Sequence, residues 1–153
     1  MESDHCLIMD KRVVKLIVGA VLLLVLLMVV PELFQMSHRP EIVKVVEDYE
    51  RALCEFGKEE ALARCTEDGV LVRNGTEIPF SSPEFYQTVC KHEYGIQTGI
   101  QFENFDIEDD EASVDVVMVS IAPVTKKVKS SVSYRIFLKR IGQDWKIARL
   151  EEK

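Results

Sequence analysis

The stretch Leu16–Val30, LIVGAVLLLVLLMVV, constrains this chain more than any other, because 15 residues this uniformly apolar cannot be left in water. Alone it falls short of the roughly 20 residues a bilayer span needs. Adding Val13 and Val14, and letting the Lys15 ammonium snorkel to the headgroups, makes 18 residues. At about 1.5 Å per residue these reach about 27 Å, the thickness of a thin membrane such as that of the endoplasmic reticulum. Lys11, Arg12 and Lys15 precede the run, and the next Lys or Arg is Arg39. This charge bias keeps residues 1–12 cytosolic as a short head and sends everything after the anchor, 13–30, to the lumenal or extracellular side. A cleaved signal peptide would need a small-x-small site, and PELFQMS after Val30 offers no clean one. The expectation is an uncleaved signal-anchor in a single-pass type II membrane protein. The alternative is a secreted protein released by cleavage.

Residues 31–39 read as a linker and 40–153 as one folded domain, large enough for a core of its own. Of the formal charge of −7, the segment 39–153 carries −6, which argues against a nucleic-acid surface. Cys6 falls on the cytosolic side, where it is a candidate for acylation. Cys54, Cys65 and Cys90 fall on the oxidising side, where one disulfide is expected and the spacings leave its pairing open. No CxxC or paired His supports zinc, and the acidic run from Glu103 to Glu111 lacks the calcium-loop spacing. No metal and no cofactor is expected.

From Glu41 to Phe56 apolar residues recur at Ile42, Val45, Val46, Tyr49, Leu53 and Phe56, one face of a helix that Gly57 ends. KEEALARC predicts a second helix, closed by TEDG. Val70–Arg73, Asn74-Gly75 and Thr76–Phe80 predict a hairpin, since Asn-Gly accepts the positive φ angles of a type I′ turn. Ser82 caps a third helix that starts at Pro83 and runs to about Glu93. Residues 98–108, 112–123, 127–141 and 144–151 are β-rich runs broken by turn signals. The order predicts an α+β domain with three helices on a curved antiparallel sheet.

The EDGVLV step at Glu67–Val72 and the closing hairpin YRIFLKRIGQDWKIARLEE, with Trp145 after Gly142, resemble the cone-shaped superfamily of nuclear transport factor 2. That superfamily includes ketosteroid isomerase and scytalone dehydratase, and the resemblance covers residues 40–152. It implies a pocket between helices and sheet, lined here by Tyr49, by Phe85 or Tyr86, and by Met118. Its isomerase branch needs a carboxylate base on the strand after helix two and a Tyr with a protonated acid as donors. This chain places Arg73 or Asn74 at the base position, and Ser131–Tyr134 offers Ser where Asp is needed, so only Tyr49 survives as a donor. His92, the one His expected inside the fold beyond His38, stands at a predicted helix end beside Glu93.

The functional expectation is therefore a binding module for a protein partner or an apolar small ligand, more a binder than an enzyme. An outer sheet face carrying Val117, Val119 and Ile121 beyond core needs would favour a homodimer. The alternatives are an enzyme of the isomerase, dehydratase or hydrolase type with an unidentified site, and a secreted carrier of an apolar ligand. Asn74-Gly75-Thr76 is an N-glycosylation sequon that the lumenal topology would expose to the transferase.

Overall fold

The computed structural model describes the backbone of residues 11–55, 57–89, 97–122, 124–125 and 127–153, and side chains there except those of 11–14, 31–35, 97–98 and 129. Two compact units result, Met1–Met36 and Ser37–Lys153. Helix α1 is assigned over Lys11–Cys54. The assignment carries through Pro31 and Pro40.

In the first unit the side chains of residues 15–30 are all exposed, Leu16 by 73%. Among the described residues no helix is long and apolar enough to cross a membrane.

The second unit is α+β. After α1 come α2 (Lys58–Leu62), β1 (Cys65–Arg73), β2 (Thr76–Pro79), α3 (Pro83–Val89), β3 (Gln97–Glu108), β4 (Glu111–Ile121), β5 (Val128–Ile141) and β6 (Asp144–Glu152). Of the helical face read from the sequence, Ile42 and Val46 are fully covered, Tyr49 and Leu53 nearly so and Val45 is half-buried, while Phe56 lies outside the described residues. Ser82 caps α3 as its sequence predicts, its Oγ accepting the Phe85 N–H at 3.2 Å. Asn74 (φ 50°) and Gly75 (φ 76°) form the turn between β1 and β2, which pair from Arg73–Thr76 outward. The end of α3 expected at residues 90–93 lies outside the described residues.

Two expectations about the sheet need correction. All six strands form one sheet in the order β2-β1-β6-β5-β4-β3, and it is mixed, because β1 runs parallel to β6. Further, the segment from Cys65 to Gly69 is strand, not the end of the second helix. Cys65 pairs with Ile147 and, after an irregularity, Val70 pairs with Arg149. The ladder to β6 satisfies backbone groups that a last helical turn would have left open. Register shifts also fall at Glu103/Asp106, Ser120/Ile121 and Phe137/Leu138, and such bulges bend strands and curve a sheet.

Val114, Val116, Ile136, Leu138, Ile147 and Leu150 are buried on the inner face of the sheet. Phe80 and Phe85 close one end of the core, with ring centres 4.8 Å apart.

The expected disulfide is not seen between Cys54 and Cys65. Cys65 is a buried free thiol whose Sγ donates to the Ala61 carbonyl at 3.5 Å, and the Cys54 Sγ donates to Glu50 Oε1 at 3.6 Å. Cys6 and Cys90 lie outside the described residues.

Candidate functional site

A cavity of about 250 Å³ lies between α1, the end of α3 and the inner face of β4, β5 and β6. Strand periodicity builds its floor. Met118 and Ser120 alternate along β4 with the outward Val117 and Val119, and they face Val132 and Ser130 on β5 as direct cross-strand partners. One rung further, Tyr134 on β5 lies opposite Glu152 on β6. Leu150 precedes Glu152 by two and shares its face, and Arg73 ends β1 beside it. From above, α1 supplies Tyr49 and its neighbour Glu50 and, one helical turn on, Leu53. Thr88 and Val89 of α3 complete the described lining.

The lining is amphipathic. Leu53, Val89, Met118, Val132 and Leu150 form an apolar body, whereas Glu50, Arg73, Tyr134 and Glu152 gather at a polar end. Arg73 Nε donates to Glu152 Oε2 at 2.9 Å. Glu50 is 7% exposed, unusual for a glutamate. Burial pushes the Tyr134 phenol up to about 12; the negative charges of Glu152 and Glu50 add to this, and Arg73 works against it. Tyr134 therefore stays a neutral hydroxyl at physiological pH, able to donate and accept a hydrogen bond.

The structure distributes the residues expected from sequence unevenly. Tyr49 and Met118 line the cavity. Phe85 is 1% exposed and packs at a tilt against Phe80, and Tyr86 sits 5.8 Å below the Lys58 ammonium; neither is part of the described lining. Of Arg73 and Asn74, the two residues expected at the base position of the isomerase pattern, Arg73 lines the cavity and Asn74 does not. Of Ser131–Tyr134, Val132 and Tyr134 face the cavity. His92 lies outside the described residues, and His38 lies elsewhere, its Nδ1 3.0 Å from Glu41 Oε2 and its ring edge-on to Trp145. Asn74 is exposed at the hairpin tip.

Glu50 and Glu152 were not singled out from sequence. Glu50 directly follows Tyr49 on a helix rich in solvated acids, and Glu152 belongs to a terminal EEK. A signal does exist: Glu152 is two residues from Leu150 on a strand, hence on the same face.

The outer sheet face is different in kind. There Asp115 accepts from Lys153 Nζ at 2.7 Å, Asn104 Nδ2 at 3.1 Å and Arg135 Nε at 3.1 Å, and these partners hold its carboxyl below the usual range. Val117, Val119 and Ile121 are half-buried on that face. A shallower depression of about 420 Å³ crosses it, bordered by Asp68, Asp106, Glu111, Phe137, Lys139 and Arg149. Among the described residues no three His, Cys, Asp or Glu side chains are grouped as metal ligands.

No protein-family model and no curated protein sequence matches the chain. Solved structures do. A nuclear transport factor 2-like protein with a cystatin-like fold from Novosphingobium aromaticivorans superposes with a TM-score of 0.61 at 16% identity, covering 81% of this chain and 86% of that one. A protein of unknown function with a cystatin-like fold from Nostoc punctiforme gives 0.60 at 18% identity, covering 74% and 88%. A candidate scytalone dehydratase, also from Novosphingobium aromaticivorans, gives 0.54 at 20% identity, covering 77% and 84%. At such identities the likeness is one of fold. With its helices laid on a curved six-stranded mixed sheet, the chain has the nuclear transport factor 2-like, cystatin-like fold.

Proposed function

We propose that this chain is a single-pass type II membrane protein whose lumenal or extracellular domain binds a small amphipathic ligand in the cavity between α1 and the sheet. The cavity carries this reading. Its apolar body and polar end are what a ligand site needs, and at about 250 Å³ it lies just under the roughly 300–1,000 Å³ typical for drug-sized molecules. A binding role also fits the chemistry of the lining. Arg73 or Asn74 falls where the isomerase pattern has its base, neither is a carboxylate, and the Arg73 charge is engaged by Glu152.

The anchor rests on sequence: the apolar run, its basic N-terminal flank and the exposure of residues 15–30. The 18-residue span counts Val13 and Val14, whose side chains lie outside those described. Exposed leucines and valines along that whole stretch gain about 25 cal/mol per Å² on leaving water, so lipid is their natural surrounding. Asn74, exposed at a tight turn, is the acceptor such a topology would glycosylate.

Two measurements test the proposal. In sealed microsomes, added protease should spare 39–153, and a glycan-removing amidase should increase gel mobility by one glycan, as Asn74→Gln does without treatment. Digestion of the domain without detergent would overturn the topology. For the cavity, Met118→Trp should fill the floor and abolish binding of small aromatic probes; binding that survives this change places the probe elsewhere.

A further inference from the structure

The cavity floor changes character twice along β5. Ser130, Val132 and Tyr134 share one face of that strand, and each has its cross-strand partner in the lining. Ser130 lies opposite Ser120 on β4, Val132 opposite Met118, and Tyr134 opposite Glu152 on β6. The register therefore lays three bands in a row. A pair of serines forms the first, an apolar pair the second, and the phenol beside the Arg73–Glu152 ion pair the third. No register shift falls between Ser130 and Tyr134, so the four strand positions that separate them fix the outer bands about 13 Å apart, at about 3.3 Å per residue. Each serine hydroxyl and the phenol can both donate and accept a hydrogen bond. The serines offer no charge to match an ionised group, whereas a hydroxyl or carbonyl satisfies them.

We propose that the cavity binds an elongated amphiphile with a hydroxyl or carbonyl group at each end, one end at Ser120 and Ser130, the other at Tyr134, and the apolar middle on Met118 and Val132. This rests on the ligand-binding reading above and names the class of ligand. The ligand is selected by the distance between its two polar ends, because a molecule with both polar groups at one end leaves either the serines or the phenol without a partner.

The test is calorimetric titration of the full chain in lipid nanodiscs, with empty nanodiscs as the blank for partitioning. Three probes share one chain length: octane-1,8-diol, its isomer octane-1,2-diol, and octan-1-ol. Burial of apolar surface alone ranks octan-1-ol first. Recognition at both ends reverses that order and places octane-1,8-diol ahead of its isomer by about fivefold, the size of one neutral hydrogen bond. Ser120→Ala with Ser130→Ala should remove this advantage and leave octane-1,2-diol unchanged. Tyr134→Phe should remove it from the opposite end, and it serves independently if the serine variant does not fold. Equal binding of the two diols, binding of neither, or an advantage that survives both variants overturns the two-ended assignment, while the cavity stays a site for the aromatic probes that Met118→Trp removes. If those probes also ignore Met118→Trp, the assignment and the site fall together.

Discussion

Arg73 Nε lies 2.9 Å from Glu152 Oε2, joining the last residue of β1 to the end of its parallel neighbour β6 at the mouth of the cavity. Because both side chains keep contact with water, the pair is worth on the order of 0.2–1 kcal/mol to stability. Its larger effect is electrostatic, on the phenol beside it. Arg73 lowers the Tyr134 pKa while Glu152 raises it. Arg73→Met should therefore leave the fold nearly as stable and push the tyrosinate transition of Tyr134 still higher. Ultraviolet titration against Tyr134→Phe isolates that transition; an unchanged or lower value would contradict the arrangement.

Tyr134 also predicts an alkaline limit. Its folded pKa, about 12, exceeds the ordinary 10, so the unfolded chain loses this proton first as pH rises. Unfolding is then favoured progressively between pH 10 and 12, and the stabilising share is intact below 10. Denaturant titrations from pH 8 upward should show stability falling through that window. Tyr134→Phe should make the fall shallower.

Gly69 predicts a steric defect. A Cβ there would come within 2.4 Å of the Phe80 ring and 3.1 Å of the Ala148 carbonyl, while the Phe80 N–H donates to the Gly69 carbonyl at 2.9 Å. The ring is fixed on its other side by Phe85, so it has little room to yield. Gly69→Ala should cost about 1–3 kcal/mol in urea unfolding. Adding Phe80→Leu should recover part of the loss, and no recovery would place the strain elsewhere.

Cys65 predicts a protected thiol. Burial raises it to about 12, opposed only in part by Lys146, and thiolate is the reactive form. Iodoacetamide at pH 8 should leave Cys65 unmodified in the native chain and label it once denaturant is added, as peptide mass mapping would show. Rapid native labelling would mean that β1 opens at its start.

Much of the fold is legible in local patterns, because they depend on residues only a few positions apart. The helical face of Ile42, Val46, Tyr49 and Leu53 follows from the helix period. The Asn74-Gly75 turn follows from the freedom of those two residues at positive φ, and the start of α3 from a serine oxygen placed to receive the Phe85 N–H. The same alternation that marks β4 and β5 as strands also tells that Met118 and Val132 each share a face with the core. The apolar run Leu16–Val30 carries its meaning in composition alone.

Which strands become neighbours is a different kind of information. Cys65–Gly69 has little strand character of its own and becomes strand because β6, some eighty residues later, offers a parallel ladder. Phe85 carries the ordinary signature of a pocket aromatic, yet Phe80 across the β2–α3 corner takes its ring into the core. Glu50 reads as a solvated helix residue until the sheet closes over it, and only that closure brings it to the same cavity as Arg73, Tyr134 and Glu152. Period and propensity determined the elements because they act within one turn or one strand; the site was decided by long-range pairing, which brings polar groups from four separate elements to one cavity.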